Sequence, residues 1–188
     1  MILDQKEFKE IAKHLEDFEK KREEQIAKSR EVIKLSKQII YSLHRNDLKE
    51  AEKYVLAIKK EMKLLSPKDY DTGMVSVAFQ EYGEALCFFH FVKEKKIPTA
   101  KALNLDPESY LMGLCDLTGE LMRRGVNAVI KKDYDEAILC KDTVDEIYGA
   151  FLAFDFRNGE LRKKFDSIKW NLKKLEDVAY DIKTKLEK

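Results

Sequence analysis

Apolar residues recur at three- and four-residue spacing over nearly the whole chain, and no segment alternates with the period of two that a half-buried strand requires. From Asp4 to about Arg45 the series Phe8, Ile11, Leu15, Phe18 resumes as Val32, Ile39 and Leu43, with Ile26, Ile33 and Ile40 alongside. This predicts one amphipathic helix of about 60 Å at 1.5 Å per residue. Its middle, from Lys20 to Glu24 and on to Arg30, is polar on nearly every face. A helix of that length outruns what its own domain can cover, so its middle either bridges solvent or meets another subunit. Behind an Asn46-Asp47 turn and N-cap, Leu48, Ala51, Val55, Ile58, Met62 and Leu65 mark a second helix ending before Pro67. Pro67 is predicted to open a third helix that runs to about Lys95, where Lys95-Lys96-Ile97-Pro98-Thr99 breaks the pattern. A short turn from Thr99 to Leu103 precedes Asp106-Pro107, an N-cap and first-turn proline that open a helix reaching about Ile130. Asp133 begins another, carrying Ile138, Val144, Ile147 and Phe151, and Arg157-Asn158-Gly159 separates it from a last helix over Glu160 to Leu186. The pattern predicts an all-α bundle of six long helices, with the short turn as a seventh, in one domain over residues 1–188.

Composition changes this picture little. Only three prolines and seven glycines occur in 188 residues, as a helical protein requires. The net charge of +1 argues against a bulk electrostatic grip on nucleic acid but leaves local basic stripes open. Cys87, Cys115 and Cys140 are odd in number and set among apolar residues, which reads as reduced core thiols and not as a disulfide framework or zinc site. The N-terminus has no signal-peptide pattern, and the most apolar stretch, Thr72 to Val92, carries two carboxylates and a histidine. A soluble cytoplasmic protein is therefore expected.

Charge placement changes the picture more. In a chain that is 38% charged, the run Thr72–Val92 has only Glu81 and Glu84 as formal charges up to its end, and Ser109–Met122 has only Asp116 and Glu120. Three- and four-residue spacing puts each pair on one helix face, about 5 to 6 Å apart between Cβ atoms. Like charges among core-type neighbours such as Ala78, Ala85, Phe88 and Leu117 cost several kcal/mol per ion unless a cation compensates, and neither run supplies one. If the two helices pack side by side, four carboxylates converge, and a hard oxygen cluster suits magnesium or manganese. Iron fits less well, because His90 lies six residues past Glu84 and makes no Glu-x-x-His step. Arg123 and Arg124 follow Glu120 within one turn, and carboxylate-held metal beside guanidinium is equipment for phosphodiester hydrolysis. Gly83, Gly113 and Gly119 would let a helix or a nucleotide strand approach closely.

Plainer readings stand beside these. The carboxylates can lie on a solvated seam and pair with lysines of other helices, His90 reads as a satisfied core histidine, and Trp170 as a packing or subunit-interface residue more than a base-stacking one. Arg30, Lys37, Arg123 and Arg124 can each be ordinary surface charge.

At these same residues the chain resembles the translin family, in its Trax-type members. The segments QEYGEALCFFHF (80–91) and SYLMGLCDLTGELMRRGVNAV (109–129) carry the resemblance, with Ser29-Arg30, Ser36-Lys37, Leu43-His44-Arg45 and the C-terminal LRKKFDSIKWNLKKLEDVAYDI (161–182). The resemblance implies a translin-like bundle of about seven helices, assembly into a hollow octamer-like shell, and magnesium-dependent endoribonuclease activity on single-stranded RNA. It implies that Glu81, Glu84, Asp116 and Glu120 are both catalytic residues and metal ligands. It also puts Arg30 and Lys37 forward as RNA-phosphate contacts, with Arg123 and Arg124 as further ones. The family's nuclear-type basic extensions are absent and the loop between the acidic helices is short, which suggests a compact prokaryotic or archaeal member forming a homo-oligomer without a translin partner. The alternatives are a non-catalytic binder of single-stranded RNA or DNA, as translin-type members suggest, and a protein scaffold using the long first helix.

Overall fold

The computed structural model describes residues 2–66, 70 and 72–186. Its seven helices are α1 (Gln5–His44), α2 (Leu48–Met62), α3 (Met74–Glu94), α4 (Ala100–Leu103), α5 (Pro107–Ile130), α6 (Tyr134–Phe151) and α7 (Glu160–Leu186), and no strand occurs among the described residues. The expected all-α bundle with a long first helix is the fold observed. The caps are those the sequence announces. Asp47, Asp106 and Asp133 each accept from the backbone N–H three residues on, satisfying an otherwise orphaned donor at the starts of α2, α5 and α6. Helix α3 differs. Its predicted opening at Pro67 lies outside the described residues, and the helix starts at Met74, behind Gly73 in the left-handed region at φ +62°. There the Thr72 hydroxyl accepts from the Met74 N–H at 3.1 Å. Helix α2 stops at Met62, three residues early, yet Leu65 beyond it is still buried.

Helix α3 packs between α1 and α5, α5 also carries α6 and α7, and α2 lies mainly against α1. One apolar core threads all seven helices, with Phe88, Phe91, Ile39, Leu43, Leu117, Leu121, Phe151, Ile168 and Leu175 fully enclosed. Cys87, Cys115 and Cys140 are free and sit in this core, where burial pushes each thiol up to about 12. The first half of α1 stands apart from it. No described residue before Gln25 is buried, Phe8, Ile11 and Leu15 are exposed, and Phe18 meets only the ring of Tyr70 among the described aromatic pairs, at 5.4 Å. No helix among the described residues is long and apolar enough to cross a membrane.

Candidate functional site

The site is built where α3 meets α5. A Cβ added to Gly113 would lie 2.9 Å from the Gln80 carbonyl oxygen and 2.9 Å from the Glu84 N–H nitrogen, so the two backbones touch at the level of the acidic steps. Only glycine permits that approach. Gly83 meets the side chain of Leu105 instead, while Gly119 has nothing closer than Asn171 at 3.9 Å and needs no glycine for packing. The contact brings the same-face pairs of both helices together, as their mutual electrostatic effects record. Glu84 is buried at 8% exposure, and burial, followed by the charges of Asp116, Glu81 and Glu120, pushes its carboxyl up to about 9. Glu81 is half-buried and is also raised, first by burial, while Lys37 pulls it down more than Asp116 pushes it up. No hydrogen bond or ion pair reaches the Glu84 carboxyl from any described residue.

The other two carboxylates have partners, all from distant parts of the chain. Lys164 of α7 donates to both oxygens of Asp116, at 2.6 Å each, and the Gln80 amide donates to Asp116 Oδ2 at 2.5 Å. His44, the last residue of α1, places Nε2 2.5 Å from Glu120 Oε2 while its ring packs 5.0 Å from Phe88. The absence of a cation therefore holds only within the charge-poor runs 72–92 and 109–122 themselves; the lysine pairing of the plainer reading is realised at Asp116. Among the described residues no three His, Cys, Asp or Glu side chains stand in position to share one metal ion. The donor set still fits a hard divalent cation in its chemistry. It consists of carboxylate oxygens, and one of them, on Glu84, is buried without a compensating group.

The basic residues divide. Arg123 is 56% exposed and lies 3.8 Å from Glu120, at the rim of the acidic site. Arg124 is committed elsewhere. Its Nε donates to Glu136 at 2.5 Å, and its Nη1 donates to the Leu43 carbonyl at 3.3 Å and to Asn46, with the side chain only 14% exposed. Although burial opposes it, Glu136 is held below the usual carboxylate range by hydrogen bonds from Lys95 and Arg124. The expected Arg124 phosphate contact thus meets a side chain already spent on tying α5 to the α1 end and to α6. Arg30 and Lys37 are exposed on one face of α1 and border a shallow groove with Lys34, Tyr41 and Met74. His90 pairs with Glu94 within α3, and Trp170 is 64% exposed under Lys169, so it is no packing residue of this chain's core.

Sequence reasoning missed Lys164 and Gln80 as site residues and quoted His44 only as part of a motif. His44 was findable, because it ends α1 one turn past Ile40, on the helix face that the apolar spacing buries. Lys164 heads the buried stripe of Ile168, Leu172 and Leu175 at three- and four-residue spacing, a polar residue where the stripe calls for an apolar one.

Comparison with known proteins places the fold. The family model described as the translin family matches residues 20–185. Human translin is 37% identical over 82 residues, a match covering 44% of this chain and 36% of that protein. The chain therefore aligns with only about a third of the translins it matches. Rat translin-associated protein X is 27% identical over an alignment of 226 positions, covering 95% of this chain and 78% of that protein. Among solved structures, apo-NeC3PO superposes with a TM-score of 0.87 at 29% identity, covering 96% of this chain and 98% of that one. AfC3PO, solved in complex with duplex RNA, superposes with a TM-score of 0.87 at 24% identity, covering 95% and 97%.

Proposed function

Since this chain belongs to the translin family, we propose that it is an RNA-binding member that hydrolyses phosphodiester bonds of single-stranded RNA. In this reading residues 1–188 form one translin-like domain, and Glu81, Glu84, Asp116 and Glu120 hold magnesium, or manganese. The observation that carries the reading is Glu84. A carboxyl on a side chain only 8% exposed, beside three others and with no direct ion pair or hydrogen bond from any described residue, costs the fold stability, and function is the reason to retain it. When bound, a divalent ion supplies an activated water and neutralises charge developing on the phosphate. This chain's own residues supply the rest. Glu81 and Asp116 present oxygens at the α3–α5 contact, Arg123 stands at the rim to orient a phosphate, and Arg30 and Lys37 offer a basic track along α1. RNA as the ligand class is supported by the family and by a protein of the same fold held with duplex RNA.

The second reading, a non-catalytic binder of single-stranded RNA or DNA, is favoured by one observation: Asp116 and Glu120 are already engaged by Lys164 and His44. Incubation of labelled single-stranded and duplex RNA and DNA with magnesium, manganese or chelator separates the two. The nuclease reading expects metal-dependent products from single-stranded RNA that Glu84→Ala and Asp116→Ala abolish with helicity intact. Salt-sensitive binding without products in any metal would establish the binder instead. Absence of binding at low salt would leave the scaffold role.

A homo-oligomeric, octamer-like shell belongs to the same proposal. It is supported by the unburied first half of α1 with Phe8, Ile11 and Leu15 exposed on it. Light scattering tests it, and a monomer at micromolar concentration would overturn it.

A further inference from the structure

We infer that Lys164 is the resident counter-cation of the acidic site, which a divalent metal must displace from Asp116, and that the displaced ammonium then serves as a ligand for a backbone phosphate of the substrate. The inference rests on the metal-site reading above. Its ground is the geometry of the pair. The Lys164 ammonium donates to both Asp116 oxygens at 2.6 Å, which is where a cation held by both oxygens would sit. A magnesium ion takes a carboxylate oxygen at about 2.0 to 2.1 Å, and the ammonium already occupies both oxygens of Asp116, so the ion must take at least one of them from it.

Its position on α7 needs a reason of this kind. Adjacent Lys163 is 74% exposed and answers Glu160, whereas Lys164 is 27% exposed and turned onto the stripe of Ile168, Leu172 and Leu175. A flexible four-carbon stem ending in a compact point charge suits both states, because a short swing moves the charge from carboxylate to phosphate.

The test uses the full chain. Manganese binding is measured by calorimetry for wild type, Lys164→Met, Lys164→Gln, Lys164→Arg and Asp116→Ala. Removing a charge-assisted competitor should tighten manganese binding about tenfold in the Met and Gln variants, and not in the Arg variant. With metal present, the salt dependence of single-stranded RNA binding should become shallower by about one phosphate contact in the Met and Gln variants. In wild type, added magnesium should increase acylation of Lys164, read by mass spectrometry, while Lys163 stays constant. Because this arm needs no variant to fold, a Lys164 acylation rate indifferent to saturating metal overturns the inference. So does equal or weaker manganese binding by folded Lys164→Met. If wild type binds no manganese and Asp116→Ala matches it, the metal-site reading itself fails and takes the inference with it; binding that Asp116→Ala abolishes but Lys164→Met leaves unchanged refutes the inference alone.

Discussion

Replacing Glu84 by Gln separates the role of this residue in the fold from its role in the site. The carboxyl is pushed up to about 9 in the fold, against an ordinary value of 4.5. Between those values the native state keeps a proton that the unfolded chain has released, so stability falls as pH rises through this window; below 4.5 both states are protonated and the penalty vanishes. At pH 7, proton uptake on folding costs up to about 3 kcal/mol at roughly 1.4 kcal/mol per pH unit. Glu84→Gln keeps the shape and removes the ionisable group. In chelator it should therefore raise stability at pH 7 by up to about 3 kcal/mol, or roughly 6 to 12 °C in Tm for a chain of this size, and by little near pH 4.5. The assay is thermal unfolding followed by circular dichroism from pH 4.5 to 9, with and without magnesium, alongside cleavage of single-stranded RNA. The expected result is a more stable protein, a flatter pH profile and loss of cleavage. A variant no more stable than wild type at pH 7, with the same pH slope, would refute the claim that Glu84 is held neutral by burial and by its three carboxylate neighbours.

Other substitutions probe the frame around it. Gly113→Ala forces a Cβ to 2.9 Å from α3 backbone; it should cost about 1 to 3 kcal/mol in denaturant unfolding and reduce cleavage by prising the acidic steps apart. Arg123→Ala should leave stability unchanged, weaken RNA binding and shave about one contact from its salt slope, because this side chain is mostly exposed at the rim. Arg124→Ala should do the reverse, losing about 2 kcal/mol in urea unfolding by taking from Glu136, only 11% exposed, one of its two cationic partners while Lys95 remains as the other. Leu15→Glu combined with Phe8→Glu should lower the mass measured by light scattering while leaving the ellipticity per residue near wild type, since neither side chain is buried in this chain.

Much of the molecule is legible in the order of its residues. Helix identity, the Asn46-Asp47, Asp106-Pro107 and Asp133 starts, and the placing of Glu81 with Glu84 and of Asp116 with Glu120 on single faces follow from spacing and capping. These relations are short-range, and 3.6 residues per turn settles them within one or two turns of backbone. The glycine that allows the two acidic faces to meet is likewise visible in the sequence, although which of three glycines does so is not.

Tertiary structure alone decided which charges meet. Lys164 reaches Asp116 from 48 residues away and His44 reaches Glu120 from 76 residues away, while Arg123 and Arg124, neighbours in the chain, end at the site rim and in a buried ion pair with Glu136. Local spacing marks Lys164 as a polar residue on a buried stripe but does not select which of the 36 lysines and arginines meets which carboxylate. That selection depends on the rotation of each helix about its axis and on which helix packs beside it, quantities set when the whole apolar core closes at once. The buried Glu84 carboxyl shows both parts: its place on α3 is written in the sequence, and its lack of a direct ion pair among the described residues is a property of the packed fold.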